Sequence, residues 1–167
     1  MTTLKNLEDL FHHQLKDIYS AEKQLIKALG NFRDEAYDND LKDAFDEHLE
    51  ETKEHKNHLD DIAQQLDIDL SGVVCKAMQG LIEEIGSFIS EDAAPEIKDA
   101  GLIAEVQRIE HYEISVYGTL VEYAKALNHK DVSKKLQKIL DQEASADKKL
   151  SKLAMKTINK RALVAVS

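Results

Sequence analysis

The chain has 167 residues, of which 43% are hydrophobic and 32% charged, and its formal net charge is −10. This length suits one globular domain, predicted to span residues 1–167, and the acidic balance argues against nucleic-acid binding, which needs a basic surface. Helix breakers are rare, with one Pro and six Gly in the whole chain, and this favours an all-α fold.

The first predicted helix spans residues 4–37, with Thr3 as its expected N-cap. Apolar residues recur along it at three- and four-residue spacing, and Glu22 occupies a position in the middle of this stripe. The polar turn at residues 38–40 separates it from the next helix. A turn this short predicts that the two helices pack as antiparallel neighbours.

The second predicted helix spans residues 41–66, and its stripe is aliphatic at both ends but polar in the middle. Glu51 follows His48 by three residues and precedes His55 by four. Residues at these spacings share one face of a helix. The middle of this helix is therefore expected to present several metal-binding side chains together.

Residues 67–95 form a long predicted crossover, within which residues 74–89 have the periodicity of a shorter amphipathic helix. Pro95 suits the first turn of the following helix, because its missing N–H would have no partner within the helix there. One long crossover between two helical hairpins is typical of ferritin-like proteins.

The third and fourth predicted helices span residues 96–127 and 131–156. Glu110 and Glu113 lie on or beside the apolar stripe of the third helix, and Glu143 lies in the middle of the stripe of the fourth. The second hairpin therefore mirrors the first, with acidic residues near the middle of its helices.

The tail, residues 158–167, is mixed in composition and is expected to fray or to dock loosely. The predicted fold is therefore all-α. It is a ferritin-like four-helix bundle of two antiparallel hairpins, joined by a long crossover that contains an extra short helix.

Each long helix places one glutamate at a similar depth in or beside its apolar stripe. The four are Glu22, Glu51, Glu110 and Glu143. A buried carboxylate costs several kcal/mol unless a cation or a proton offsets its charge. A single such glutamate is more often an interfacial residue whose head group reaches water, but four at one depth predict a metal cage.

Di-iron and di-manganese bundles take one Glu from each of two helices and a Glu-x-x-His motif from each of the other two. This chain lacks the regular motif, because Glu54 follows Glu51 by three residues and Ala146 follows Glu143. The ligand set is nevertheless rich in oxygen and free of thiolate, which favours iron or manganese over structural zinc.

Several stretches of the chain occur in the order and spacing of a known family. They are residues 17–24 (DIYSAEKQ), 48–52 (HLEET), 110–114 (EHYEI) and 117–119 (YGT), Glu143, and the crossover pattern Cys75-x-x-Met78-x-Gly80-Leu81. They resemble the YciF/YciE group of bacterial ferritin-like stress proteins, and the YciF branch most, over nearly the whole chain. The resemblance implies a ferritin-like bundle, a cytoplasmic stress role, a homodimer and a dinuclear metal site.

Carried over residue by residue, the resemblance implies a six-residue ligand set. It consists of Glu22, His48, Glu51, Glu110, Glu113 and Glu143. Related rubrerythrin-type sites also carry Glu-x-x-Glu on the third helix, as Glu110 and Glu113 do here. His55 and Asp147, each four residues after a central glutamate, are weaker candidates. Tyr19 and Tyr117 are expected to be packing residues with hydrogen-bonded hydroxyls.

The expected function is that of a stress protein with two iron or manganese ions, bridged by carboxylates, that react with peroxide or O₂. Peroxidase, catalase-like and ferroxidase reactions stay open, and turnover would need an electron donor that the sequence does not name. The alternative is a non-catalytic dimeric interaction module in which any metal is structural or vestigial. No organic cofactor is evident.

The expected location is cytoplasmic. No apolar run approaches the ~20 residues that a membrane span needs, and residues 1–10 lack the apolar segment of a signal peptide. Cys75 is the only cysteine, so no internal disulfide can form, and a buried position is expected for it. Neither a membrane nor nucleic acid is expected as a partner.

Overall fold

The computed structural model describes residues 3–165, and this part of the chain contains helices and no strands. The elements are α1 (Leu7–Glu35), α2 (Asn39–Leu66), α3 (Lys76–Ile89), α4 (Pro95–Ala126), α5 (Lys130–Leu153), a π-helical turn (Ala154–Ile158) and α6 (Asn159–Val164). The all-α, ferritin-like prediction is confirmed. No helix among these is long and apolar enough to cross a membrane.

Local sequence chemistry explains where the long helices begin. The Asn6 side chain accepts a hydrogen bond from the Asp9 backbone at 2.8 Å and caps α1. The prediction of Thr3 as the cap was wrong, because helical geometry begins only after Asn6. Asp38 caps α2 in the same way, and Pro95 occupies the first turn of α4 as predicted.

The four long helices form a square in which α1 packs on α2 and α4, and α5 packs on the same two helices. Polar contacts show that α1 and α4 run in opposite directions. Asp99, near the start of α4, accepts hydrogen bonds from the backbone N–H groups of Tyr37 and Asp38 at 2.7 and 2.9 Å. Further along α4, the Tyr112 hydroxyl donates to Asp17 in α1 at 2.8 Å.

The crossover carries the chain along the bundle, and its helix α3 packs against α1 and α4. Gly101 in α4 allows this close contact, because a Cβ at that position would collide with the ring of Phe88 in α3. Cys75, immediately before α3, is buried as predicted, and its Sγ lies 3.0 Å from the Tyr112 hydroxyl oxygen.

The interior has two apolar ends and a polar centre between them. The first apolar end includes Leu29, Phe32, Leu41, Phe45 and Leu102, and the second includes Phe11, Leu15, Leu59, Ile62, Leu120 and Leu136. The polar centre consists of Glu22, His48, Thr52, His55, Glu110, Glu113 and Glu143, all buried. Apolar burial at roughly 25 cal/mol per Å² stabilises both ends, and these ends hold the central side chains in position.

The structure favours docking over fraying for the tail, the two alternatives that the sequence left open. Residues 158–164 do not fray, because the helix continues through the π-helical turn into α6. Ile158 is buried in the core and Arg161 forms an ion pair with Asp38, the N-cap of α2. An apolar anchor and a charge contact therefore keep this segment on the bundle. Residues 166–167 of the predicted tail lie outside the described range.

Candidate metal centre

Six side chains of the types that ligate metal ions meet in the polar centre, and none is more than 4% exposed. They are Glu22 from α1, His48 and His55 from α2, Glu110 and Glu113 from α4, and Glu143 from α5. Every long helix of the bundle therefore contributes at least one. Four helices packed at both ends leave these side chains little freedom to move away from one another.

The six side chains form two groups that share one carboxylate. His48, Glu110, Glu113 and Glu143 form the first group, and Glu22, His55 and Glu143 form the second. Within each group the possible ligand atoms lie within 4.8 Å of one another. Glu143 belongs to both groups, which is the position of a carboxylate that bridges two ions.

Two histidine–carboxylate contacts are close. His55 Nδ1 lies 2.9 Å from Glu143 Oε1 and 3.8 Å from Glu22 Oε1. His48 Nε2 lies 3.2 Å from Glu110 Oε1. These atoms approach each other without the angles of a hydrogen bond, since none of the histidine nitrogens has a hydrogen-bond partner.

The centre leaves an unusual number of buried polar atoms without partners. They are both oxygens of Glu110, Glu113 and Glu143, both ring nitrogens of His48 and His55, and Oε2 of Glu22. An unsatisfied buried polar group costs about 1–3 kcal/mol, and more when it is charged. So many such atoms in one place fit a site built to hold cations.

Tyr117 holds one of the carboxylates in place. Its side chain is fully buried, and its hydroxyl donates a hydrogen bond to Glu22 Oε1. The prediction of a packing residue with a hydrogen-bonded hydroxyl is confirmed for Tyr117. Tyr19, by contrast, is only partly buried, and Lys23 and Lys56 lie over its ring at 5.5 and 5.6 Å.

Without cations, burial drives three of the carboxylates toward their neutral form. Burial, with the neighbouring Glu143, raises the pKa of Glu22 to about 8, although His55 and Tyr117 oppose the shift. Burial and the charge of Glu143 raise the pKa values of Glu110 and Glu113 well above the ordinary glutamate value. In metal-free protein these shifts favour the protonated forms of Glu22, Glu110 and Glu113.

The pKa values of the remaining three groups, Glu143, His55 and His48, shift in different directions. Burial raises the pKa of Glu143, but His55 and His48 outweigh it and the net shift is downward. Burial lowers the pKa of His55, but the contact with Glu143 and the charge of Glu22 make the net shift upward. Burial lowers the pKa of His48. Glu143 is thus the carboxylate most readily ionised in the centre.

The structure brings together five of the six sequence-predicted ligands, and the sixth, Glu51, lies apart from them. Glu51 lies outside both groups and is half-buried, while His55, which ranked below it, lies inside the second group. Asp147 also lies outside both, where it accepts a hydrogen bond from Gln107 at 2.8 Å and lies 3.3 Å from His111 Nε2.

A signal for His55 was present in the sequence. His48, Thr52 and His55 continue the stripe of Leu41, Phe45, Leu59 and Ile62 at strict three- and four-residue spacing. Glu51 stands one residue before Thr52, about 100° around the helix from it. The two α2 histidines therefore occupy the centre where the usual Glu-x-x-His motifs are lacking.

The fold and this site define a class: a ferritin-like helical bundle with a buried carboxylate and histidine centre. The chain matches the family described as Domain of unknown function (DUF892) over residues 6–163. It is 40% identical over 160 residues to Protein YciF of Escherichia coli (strain K12). The aligned region covers 95% of this chain and 96% of that protein. The chain belongs to the DUF892 family, and its resemblance to YciF is confirmed.

Solved structures agree with this assignment. The crystal structure of the E. coli stress protein YciF matches with a TM-score of 0.91 at 40% identity, over 94% of this chain and 99% of that one. YcfI from Rhodopseudomonas palustris matches with a TM-score of 0.86 at 40% identity, over 88% of this chain and 94% of that one. A protein from Xanthomonas campestris pv. campestris matches with a TM-score of 0.75 over 95% of this chain and 96% of that one. Its sequence identity is 18%, so this match shows the fold alone.

Proposed function

We propose that the polar centre holds two iron or manganese ions and that the protein uses them to react with peroxide or O₂. The observation that carries the proposal is the membership of Glu143 in both groups of ligand atoms. His48, Glu110 and Glu113 would complete one ion site, and Glu22 and His55 the other. Carboxylate and imidazole ligands suit these metals.

The charges of the donor set support two divalent ions. Glu22, Glu110, Glu113 and Glu143 carry four negative charges when ionised, and neutral His48 and His55 add none. Two divalent cations bring four positive charges, so the filled centre is neutral. A buried site needs this balance, because uncompensated charge in the protein interior is costly.

The chain's own residues orient this centre and shield its two ends. Tyr117 fixes Glu22 by its hydrogen bond, and the two apolar ends limit the approach of water from either end of the bundle. When bound, a metal pair of this kind exchanges electrons with a small oxidant and polarises it. The proposal leaves peroxidase, catalase-like and ferroxidase reactions to be separated by assay.

The biological setting is also a proposal. The E. coli relative is described as a stress protein, and a role in oxidative stress would suit a centre that consumes peroxide. A homodimer remains a prediction of the sequence resemblance, and an electron donor remains a requirement expected for turnover. The cytoplasm is the compartment in which a free Cys75 would stay reduced.

The first test is metal content. Protein purified without chelators, or supplemented with Fe(II) or Mn(II), should contain about two ions per chain by elemental analysis. Glu143→Gln should lose both ions, because both sites use this carboxylate. Asp141→Asn, an exposed change on the same helix, should keep both. Absence of metal in the supplemented wild type would instead favour the non-catalytic interaction module.

The second test is chemistry. Fe(II)-loaded or Mn(II)-loaded protein should consume peroxide or O₂ faster than the same concentration of free metal, and iron oxidation should raise the near-ultraviolet absorbance. Glu143→Gln should reduce this rate to that of free metal. Tightly bound metal with no acceleration, across several electron donors, would leave the metal structural and contradict the proposed reaction.

A further inference from the structure

A narrow cavity leads from the surface between α2 and α5 to the metal centre. Its volume is about 30 Å³, enough for one or two water molecules. His48 and Glu110 line it, and their ligand atoms are buried without hydrogen-bond partners. Four larger clefts elsewhere on the protein are lined by none of the six residues of the centre.

The cavity contains two further carboxylates at different depths. Glu47 is exposed and forms an ion pair with Lys149 across the seam between α2 and α5. Glu51 lines the same cavity and is half-buried, so its exposure lies between those of Glu47 and His48. Along α2 the side chains that line the cavity therefore run from exposed Glu47 through half-buried Glu51 to buried His48.

Small side chains on α5 leave this seam open. Ser145 and Ala146 line the cavity opposite the α2 wall. Ala146 stands three residues after Glu143, where a Glu-x-x-His motif would place a bulky imidazole. Because the histidines of this centre come from α2 instead, the space beside Ala146 stays unfilled.

We propose that Glu51 is a transit site through which divalent cations enter the centre from solvent. The inference rests on the proposed metal centre and goes beyond it, because it assigns Glu51 a role without permanent ligation. The six-residue donor set already balances two divalent ions without a fifth carboxylate. A carboxylate in a narrow cleft raises the local cation concentration and the rate of association. The ammonium of Lys149 opposes entry at the mouth until it moves aside.

The test measures the rate of metal entry separately from the amount bound. Metal-free protein is mixed with Co²⁺ in a stopped-flow instrument, and the visible absorbance reports transfer of the ion from water to protein ligands. Glu51→Gln should slow entry at least tenfold, with the same final absorbance and the same number of ions per chain. Glu54→Gln removes the same charge from an exposed position on α2 and should stay within twofold of wild type. Lys149→Gln should accelerate entry.

Each other outcome has a distinct meaning. Unchanged entry kinetics in Glu51→Gln, with full loading, would overturn the transit role and leave the metal centre intact. A lower final stoichiometry or affinity in Glu51→Gln would make Glu51 a permanent ligand and also overturn the inference. If wild-type protein bound no Co²⁺, Fe(II) or Mn(II), the metal centre itself would fail, and the transit site with it.

Discussion

The polar centre and the apolar ends of the bundle are built from the same four helices and are equally buried, yet their energetics are opposite. At the ends, side chains such as Phe32 and Leu59 gain free energy by leaving water. In the centre, carboxylates such as Glu110 and Glu113 are buried with no hydrogen-bond partner for either oxygen. Burial alone therefore does not indicate which residues stabilise this fold.

The apolar ends and the polar centre therefore have separate roles in this fold. The ends supply the stability, and they force the central side chains to remain together despite the cost of their burial. Burying carboxylates without partners lowers the free energy of unfolding. Cations that bind these carboxylates can restore the free energy that was lost. Removing the ends should unfold the protein, whereas removing the centre should only stop it from binding metal.

Truncation of the apolar core should give the largest effect. Phe32→Ala should cost about 3–5 kcal/mol of unfolding free energy, because it removes buried surface and leaves a cavity. In metal-free protein Glu113→Leu should cost nothing or should stabilise, since it replaces an unpartnered buried carboxyl with an apolar group. Urea unfolding of both variants measures the contrast. A loss of similar size in Glu113→Leu would show that the centre has a structural partner.

Metal binding should stabilise the whole fold through the centre alone. Iron(II) or Mn(II) at about a thousand times its dissociation constant should add about 4 kcal/mol for each ion bound, since it binds only the folded state. The gain should survive in Phe32→Ala, where the two effects are independent and add, and should vanish in Glu143→Gln. Melting curves with metal and with chelator test this. A wild-type melting temperature indifferent to both would argue against the cage.

The metal-free protein should lose stability as the pH rises. The folded-state pKa of Glu22 is about 8, above its ordinary value of 4.5, so the folded protein holds a proton that the unfolded chain releases. That contribution is complete below pH 4.5 and is lost as the pH rises through about 8. We expect a loss of about 1–3 kcal/mol between pH 6 and pH 8.

Two variants sharpen the pH experiment. Glu22→Gln should make the profile less steep in this window, because the Gln side chain cannot titrate, while Glu110 and Glu113 with their raised pKa values keep part of the slope. Phe32→Ala should lower the whole profile without changing its slope. Saturating metal should reverse the dependence, because cations displace protons from the ligands and bind better at higher pH. A metal-free profile that rises from pH 6 to pH 8 would contradict protonated glutamates in the centre.

The smallest expected effect concerns the packing of α3 on the bundle. Gly101→Ala should cost about 1–3 kcal/mol, because the new methyl group would overlap the ring of Phe88. Gly118→Ala, in the same helix with open space around it, should instead gain up to about 1 kcal/mol from helix propensity. Thermal unfolding of the pair separates the clash from the propensity. Equal effects would mean that α3 shifts without cost.

The sequence by itself determined the helices, the hairpins and the existence of a polar centre. Apolar spacing and rare breakers located the four long helices and the crossover helix to within a few residues, because periodicity and capping are local properties. The caps were less certain, and α1 begins after Asn6 instead of Thr3. The sequence also left the tail between fraying and loose docking, since the burial of Ile158 and the contact of Arg161 with Asp38 depend on distant residues.

Only the tertiary structure decided which polar side chains share the centre. The stripe of α2 already placed His55 inward and Glu51 one position aside, but it did not show which neighbours they would meet. Packing of α2 against both α1 and α5 set the rotation of the helix, and this brought His55 to Glu22 and Glu143. The same packing left Glu51 beside the cavity. A helix presents its residues about 100° apart, so a single position in the sequence separates a side chain in the buried centre from one beside the cavity.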